Sequence, residues 1–145
     1  MQRVERRARI GAPVAEVFAY LSNLETLSEW QSGVVSAEIT SGDELGVGST
    51  ARVTRELMGQ RIEAPLTVTE YEPPRRMAIS SEVSGVKAVA ELDLAPADGD
   101  TTDLGFAMEI RGSGFTSFME GMIASAAAGD IDASLERVRA RFPAT

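Results

Sequence analysis

Neither cysteine nor histidine occurs in the 145 residues, and tryptophan occurs once, at Trp30. The first absence excludes disulfides, thiol nucleophiles and zinc–thiolate centres. The second removes the imidazole base, the Ser-His-Asp triad and the usual transition-metal ligand. Any chemistry must run on carboxylates, arginine, lysine, tyrosine, hydroxyls or shape, and neither a metal nor a cofactor is expected. Long apolar runs are missing too, so no segment reads as a bilayer span. Arg3, Arg6, Arg7 and Arg9 cluster near the start, but no apolar run follows them as in a signal peptide. They read as the wet side of a first strand, and the expected compartment is the cytoplasm without membrane insertion. Basic residues are outnumbered, leaving a net charge of −8. That argues against nucleic acid, whose phosphates need a basic footprint, and against an anionic membrane surface.

What is present is the composition of an ordinary globule, 43% hydrophobic and 25% charged, of a length that suits one domain over residues 1–145. "QRVERRARI" alternates, with Val4, Ala8 and Ile10 on one face. After Gly11, "PVAEVFAYL" places Val14, Val17, Phe18 and Leu21 on one helical face, with Pro13 at a tolerated first-turn position. Ser22-x-x-Glu25 and Thr26-x-x-Glu29 both fit a capping box, predicting a break near Asn23 and a second short helix ending at Trp30.

From Val34 to Ile110 the period is two, broken by turn residues into strands near 34–41, 48–57, 61–71, 75–83, 86–95 and 101–110. The short connections imply antiparallel neighbours. One face is apolar and the other carries Arg52, Glu56, Glu63, Glu82, Lys87, Glu91 and Asp93. Pro65 cannot donate to a ladder, so its strand should bulge there or lie at an edge. The last thirty residues return to helical period. Phe115, Phe118, Met119, Met122, Ile123 and Ala126 form one stripe, and Ile131, Leu135, Val138 and Phe142 another. The step from Ala126 to Ile131 is too long for one stripe, which predicts a kink, a π-bulge or a change of buried face near Gly129. Two signatures fail on inspection: "GVGST" lacks the lysine of a phosphate loop, and Asp98, Asp100 and Asp103 miss the calcium-loop spacing.

The order is strand, two short helices, six strands and a long helix. With "IGAPVAEVFAYLSN", "VGST", "YEPPRRMAIS" and "DGDTTDL", it resembles the START-like superfamily, which includes the birch pollen allergen, lipid-transfer START domains and the polyketide cyclase/dehydrase family. The resemblance covers essentially the whole chain and its motifs are architectural rather than catalytic. It implies an α+β helix-grip fold: a curved seven-stranded antiparallel sheet wrapped around a long C-terminal helix, with two short helices after strand 1. It also implies an elongated cavity between sheet and helix.

The residues bear on that cavity independently. Around Gly59-Gln60, Arg55 should oppose Ala64, and across Ser84-Gly85, Ser81 should oppose Ala88 and Ile79 oppose Ala90. Ala51, Ala64, Ser81, Ala88 and Ala90 then leave the middle of the inner face low. Either the helix fills that space or a void remains, and a void costs about 24 cal/mol per Å³, so a retained one usually has a use. Expected ligand-lining residues are Trp30, Arg55, Ser81, Ala88, Ala90, Phe106, Phe115, Phe118, Met119 and Met122. Arg55 and Glu70 share the inward register and are the only candidates for catalytic groups, although each could instead reach water at a strand end. Tyr71 falls on the outward register. Trp30 either closes over a ligand at the wide end or caps the core where the helices meet the second strand; a lone tryptophan is more often packing.

Three functions fit. The first is binding of a small hydrophobic molecule, lipid or polyketide-like, in the cavity. The second is a cofactor-free polyketide cyclase or dehydratase, with Arg55 polarising a carbonyl and Glu70 or a hydroxyl moving the proton. The third is a protein-partner module of a cellular complex. A homodimer is left open.

Overall fold

A computed structural model describes residues 2–42, 45–57, 59–83, 85–112 and 120–143. Its elements are β1 (Gln2–Ile10), α1 (Val14–Ser22), a 3-10 turn (Leu24–Thr26), α2 (Leu27–Trp30), β2 (Val34–Ile39), β3 (Thr50–Leu57), β4 (Gln60–Glu72), β5 (Arg76–Val83), β6 (Val86–Pro96), β7 (Thr102–Gly112) and α3 (Glu120–Arg141). The seven strands form one antiparallel sheet in the order β1-β7-β6-β5-β4-β3-β2. This is the helix-grip architecture. The sheet's apolar face closes on α3, which packs mainly on β1 and β7. No helix among the described residues is long and apolar enough to cross a membrane.

The core is concentrated where α1, α2 and the 3-10 turn meet the sheet. Val17, Phe18, Leu21, Leu24, Leu27 and Trp30 are buried there with Ile10, Met77, Leu92, Leu104 and Phe106. The break between the short helices is capped by Asn23 rather than by Ser22 or Thr26. Asn23 Oδ1 accepts from the Glu25 N–H at 3.0 Å, while Thr26 Oγ1 donates to the Tyr20 carbonyl at 2.8 Å. At the far end Phe142 stacks edge-on to Tyr20 at 5.6 Å, Arg141 lies 4.9 Å over the same ring, and the Gly11 N–H donates to the Phe142 carbonyl.

Helix α3 runs unbroken through Gly129. The expected kink, π-bulge or change of buried face is absent, because the buried residues form one continuous line, Ala124, Ala127, Ile131, Ser134, Leu135 and Val138. Stepping through Ala127 instead of Ala126 restores helical spacing, and no kink is needed. The arginines of β1 divide similarly. Arg3 bridges Glu91 and Glu109 on the outer face, whereas Arg6, which shares its register with Ala8, reaches Asp132 of α3 at 3.1 Å.

Two irregularities of β4 shape the site. Between Val68 and Glu70 the β5 partner advances by one residue, from Ile79 to Ala78, so Thr69 is a bulge. Residues beyond it change faces. Glu70 turns outward and Tyr71 inward, its ring 5.8 Å from Phe18. The second irregularity is at Pro65. β4 lies inside the sheet, but its ladder with β5 begins only at Thr67–Ser80. Residues 60–66 pair with β3 alone among the described residues.

Candidate functional site

Between α3 and the inner face of β3–β7 lies a cavity of about 270 Å³. That is just under the usual range of ligand pockets, about 300–1,000 Å³. Its walls are mostly apolar, and the register shows why they stay low: Ser81 opposes Ala88, Ile79 opposes Ala90, and Val53 opposes Ala64, so each of these rungs carries at least one short side chain. Ala64, Ala88 and Ala90 keep the sheet low, and α3 sets the small Ala127 between Ile123 and Ile131 against it. Small meets small, and the space stays empty.

Of the residues expected at the cavity, Arg55, Ser81, Ala88, Ala90 and Phe106 line it. Arg55 opposes Ile62, not Ala64, because the β3–β4 ladder ends on the Leu57–Gln60 pair. A shift of two leaves the face unchanged. Phe115, Phe118 and Met119 lie outside the described residues. Met122 is 53% exposed, on the side of α3 away from the buried line. Glu70 is excluded by the bulge. Its side chain is outside the sheet, bound to Arg76 at 2.9 Å, and that guanidinium holds the carboxylate pKa below its ordinary value. Trp30 is core: 1% exposed, packed edge-on against Phe106 at 6.0 Å, and lining a separate space of about 20 Å³.

The polar end of the cavity is built by residues that strand patterning does not reveal. Gln31 Oε1, in the amide orientation that satisfies both groups, accepts from Arg55 Nη2 at 3.1 Å and Nη1 at 3.2 Å. Gln31 follows Trp30 directly, so α2 sets both the core and this contact. Asp130 enters from α3, one turn above Ser134. The Ser134 hydroxyl donates to the Asp130 carbonyl at 2.6 Å and accepts from the Ser32 N–H at 2.8 Å; the Ser32 hydroxyl donates to Asp130 Oδ1 at 3.4 Å. Gly33 follows at φ +90, a backbone conformation that favours glycine, with Asp130 Oδ2 at ordinary contact distance from where a Cβ would stand. The signal for Asp130 was available in sequence: Ala127, Asp130, Ile131 and Ser134 fall on one helical face.

Two opposite charges therefore share one end of an apolar cavity without forming an ion pair among the described residues. Burial lowers the Arg55 pKa and the Asp130 charge partly offsets it; the guanidinium remains charged at neutral pH. Burial also raises the Asp130 pKa, against the Ser32 hydrogen bond and the charges of Arg55 and Arg137. Arg55 spends two N–H groups on Gln31, and no other described residue accepts from its guanidinium. A guanidinium with donors unused among the described residues can bond an oxygen from outside the protein.

The raised Asp130 pKa has a sign. The folded state keeps the proton to a higher pH than the unfolded chain, so stability falls as pH rises from the ordinary value of 3.8 through the folded value. Asp130→Asn should therefore melt at a higher temperature than the parent at pH 7, with the gain vanishing near pH 4. Thermal melts across pH 4–8 check this. A variant that is less stable at pH 7, by a margin growing with pH, would mean the carboxylate is net stabilised.

The family comparison bears on this geometry. A family model described as "Polyketide cyclase / dehydrase and lipid transport" matches residues 1–143. The chain belongs to this family. An uncharacterised protein of Mycobacterium tuberculosis is 27% identical over 138 residues, covering 94% of this chain and 96% of the relative. The Zhui aromatase/cyclase of a Streptomyces species superimposes with a TM-score of 0.79 at 17% identity, over 97% of this chain and 92% of that one. A START superfamily protein of Mycobacterium smegmatis does so with a TM-score of 0.79 at 15% identity, over 97% and 96%. At these identities the structures fix the fold. The polyketide cyclase/dehydrase and lipid transport family thus supplies the container; the Arg55 end of this cavity belongs to this chain's own side chains.

Proposed function

We propose that this member of the polyketide cyclase/dehydrase and lipid transport family is one ligand-binding domain over residues 1–145. It binds a small hydrophobic molecule carrying one anionic or strongly accepting oxygen. The observation that supports this reading is the pair of facts about Arg55: its guanidinium stands at the polar end of a mostly apolar cavity, and its donors are only partly used among the described residues. Burial of the apolar body drives binding at roughly 25 cal/mol per Å². The guanidinium fixes orientation and selects for the oxygen.

A second reading is supported by Asp130. A cavity carboxyl with a raised pKa beside a guanidinium can act as a proton carrier. With a ketone oxygen on Arg55, the Asp130 carboxylate would take an α-proton while the C–H pair becomes a C=C bond and the carbonyl π pair moves onto the oxygen, giving an enolate held by the guanidinium. A β-hydroxyl would then leave as water with the proton from Asp130 as the carbonyl re-forms. Glu70 has no part in such a step.

Native mass spectrometry of the protein as purified, followed by denaturation and identification of released compounds, tests both readings. A defined hydrophobic acid or ketone released unchanged supports carriage. A compound converted to one lighter by a water on incubation supports the dehydratase. An empty protein that also fails to bind 1-anilinonaphthalene-8-sulfonate would overturn the binding reading.

A further inference from the structure

Arg55 and Asp130 are the only titratable side chains lining the cavity among the described residues. Each is held by an uncharged partner rather than by the other. Arg55 bonds Gln31, and Asp130 accepts from the Ser32 hydroxyl at 3.4 Å. The two charges nevertheless act on one another across this end of the cavity. The other charges around Asp130 compete weakly. Arg137, on the same helix, is exposed, and Arg6 of β1 is paired with Asp132. The connection from α2 to β2 brings only the uncharged Ser32 and Gly33 against the carboxyl.

An anion bound on the guanidinium changes that balance. It occupies the one cation lining the cavity and sets a second negative charge near Asp130, in a space walled mostly by apolar groups. Two carboxylates sharing such a site do not both stay ionised, and one of them keeps a proton. We propose that the polar end takes a hydrophobic monocarboxylic acid together with one proton, Arg55 holding one oxygen of the acid and Asp130 sharing the proton with the other. This rests on the binding reading above and narrows it to a class. The proton is drawn from solvent as a carboxylate enters, or arrives on the acid itself; both routes give the same complex. With Asp130 ionised the two charges of the site cancel, and with Asp130 protonated a single positive charge remains. The site therefore matches a monoanion, whereas a phosphate dianion would keep a negative charge unbalanced in the cavity. The linkage has a direction. Burial already holds the Asp130 pKa above its ordinary value, and a bound anion lifts it further. Affinity is then full below the ligand-free pKa, falls as pH rises through it, and levels off above the ligand-bound value.

Two fluorescent probes keep a fixed charge between pH 5 and pH 9: 1-anilinonaphthalene-8-sulfonate, an anion, and N-phenyl-1-naphthylamine, which is neutral. Titrations at about 0.15 M salt screen the distant surface charges. The parent's Kd for the sulfonate should weaken by about tenfold or more from pH 5 to pH 9, the equivalent of a rise of about one unit in the Asp130 pKa on binding. For Asp130→Asn the same Kd should stay constant within about twofold, and the neutral probe should be indifferent to pH on both proteins. Calorimetry on the parent adds an arm free of mutation: the binding enthalpy of the sulfonate should vary with the ionisation enthalpy of the buffer, in the sense of proton uptake. For the class, 1-naphthoate should displace the sulfonate at pH 8 about tenfold more effectively than 1-naphthyl phosphate. Sulfonate affinity indifferent to pH, or equally dependent on it in Asp130→Asn, overturns the proton linkage alone. Equal displacement by the phosphate overturns the monocarboxylic class. Failure of both probes to bind the parent overturns the binding reading and this proposal with it.

Discussion

An Arg55→Met variant should bind 1-anilinonaphthalene-8-sulfonate at least about 30-fold more weakly than the parent, since losing one partner of a desolvated charge pair costs about 2–5 kcal/mol. N-phenyl-1-naphthylamine, the same rings without the sulfonate, should bind the two proteins alike. The contrast follows from the site: the walls that hold the rings are aliphatic, and the guanidinium supplies the charge. Stability should move little. Removing a buried charge relieves its desolvation but takes a counter-charge from Asp130. It also leaves the Gln31 amide oxygen, in a residue 4% exposed, without its donor, at a cost of about 1–3 kcal/mol. The double variant Arg55→Met/Gln31→Met escapes that last cost and should be more stable than the single variant, while binding the sulfonate no better. Arg55→Lys should recover only part of the affinity, because an ammonium lacks the planar fork that can bond Gln31 and a ligand oxygen together. Equal loss of both probes would mean that Arg55 shapes the cavity rather than anchoring a charge.

How much of this was legible from sequence depended on periodicity. Strand alternation located Arg55, Ser81, Ala88, Ala90 and Phe106 on the cavity face, and the two-residue error at the β3–β4 turn did no harm because a shift of two preserves the face. The bulge at Thr69 shifts by one. It reversed Glu70 and Tyr71, and nothing local announces it. Pro65 was visible as a defect, but its consequence depends on which neighbour its nitrogen faces, and that follows only from knowing both hairpin registers. The partners of Arg55 at the polar end, Gln31 and Asp130, were missed for a different reason. Gln31, Arg55 and Asp130 come from three distant segments, and only tertiary packing brings them to one place. On α3 the large side chain of Met122 drew the stripe toward the exposed side, whereas the buried line steps through Ala124 and Ala127 before Ile131. Where a cavity is kept open by small residues, the lining is written in the side chains that hydrophobic patterning weighs least.

Trp30→Ala should destabilise the protein by about 3–5 kcal/mol, the range for truncating a large aromatic in a core. Against a total stability of about 5–15 kcal/mol, that is a loss of roughly 10 °C in melting temperature. The ring is 1% exposed and packs on Phe106 among Leu21, Leu24, Leu27 and Met77. Truncation would merge its volume with the neighbouring space of about 20 Å³, and helices α1 and α2 have little freedom to collapse into it. Circular dichroism melts are the measurement, because the variant has no tryptophan to report fluorescence. Trp30→Phe sharpens the test. The Trp30 Nε1 is buried without a hydrogen-bond partner among the described residues, and an unsatisfied donor costs about 1–3 kcal/mol. Phenylalanine loses ring volume but discards that donor, so its net cost should fall well below that of alanine. A ring serving as a lid would give the opposite pattern: both variants would melt near the parent temperature, and probe dissociation would accelerate several-fold. Phe106 lines the main cavity and touches Trp30, so the ring does influence the site, but from behind: it fixes the wall against which a ligand packs.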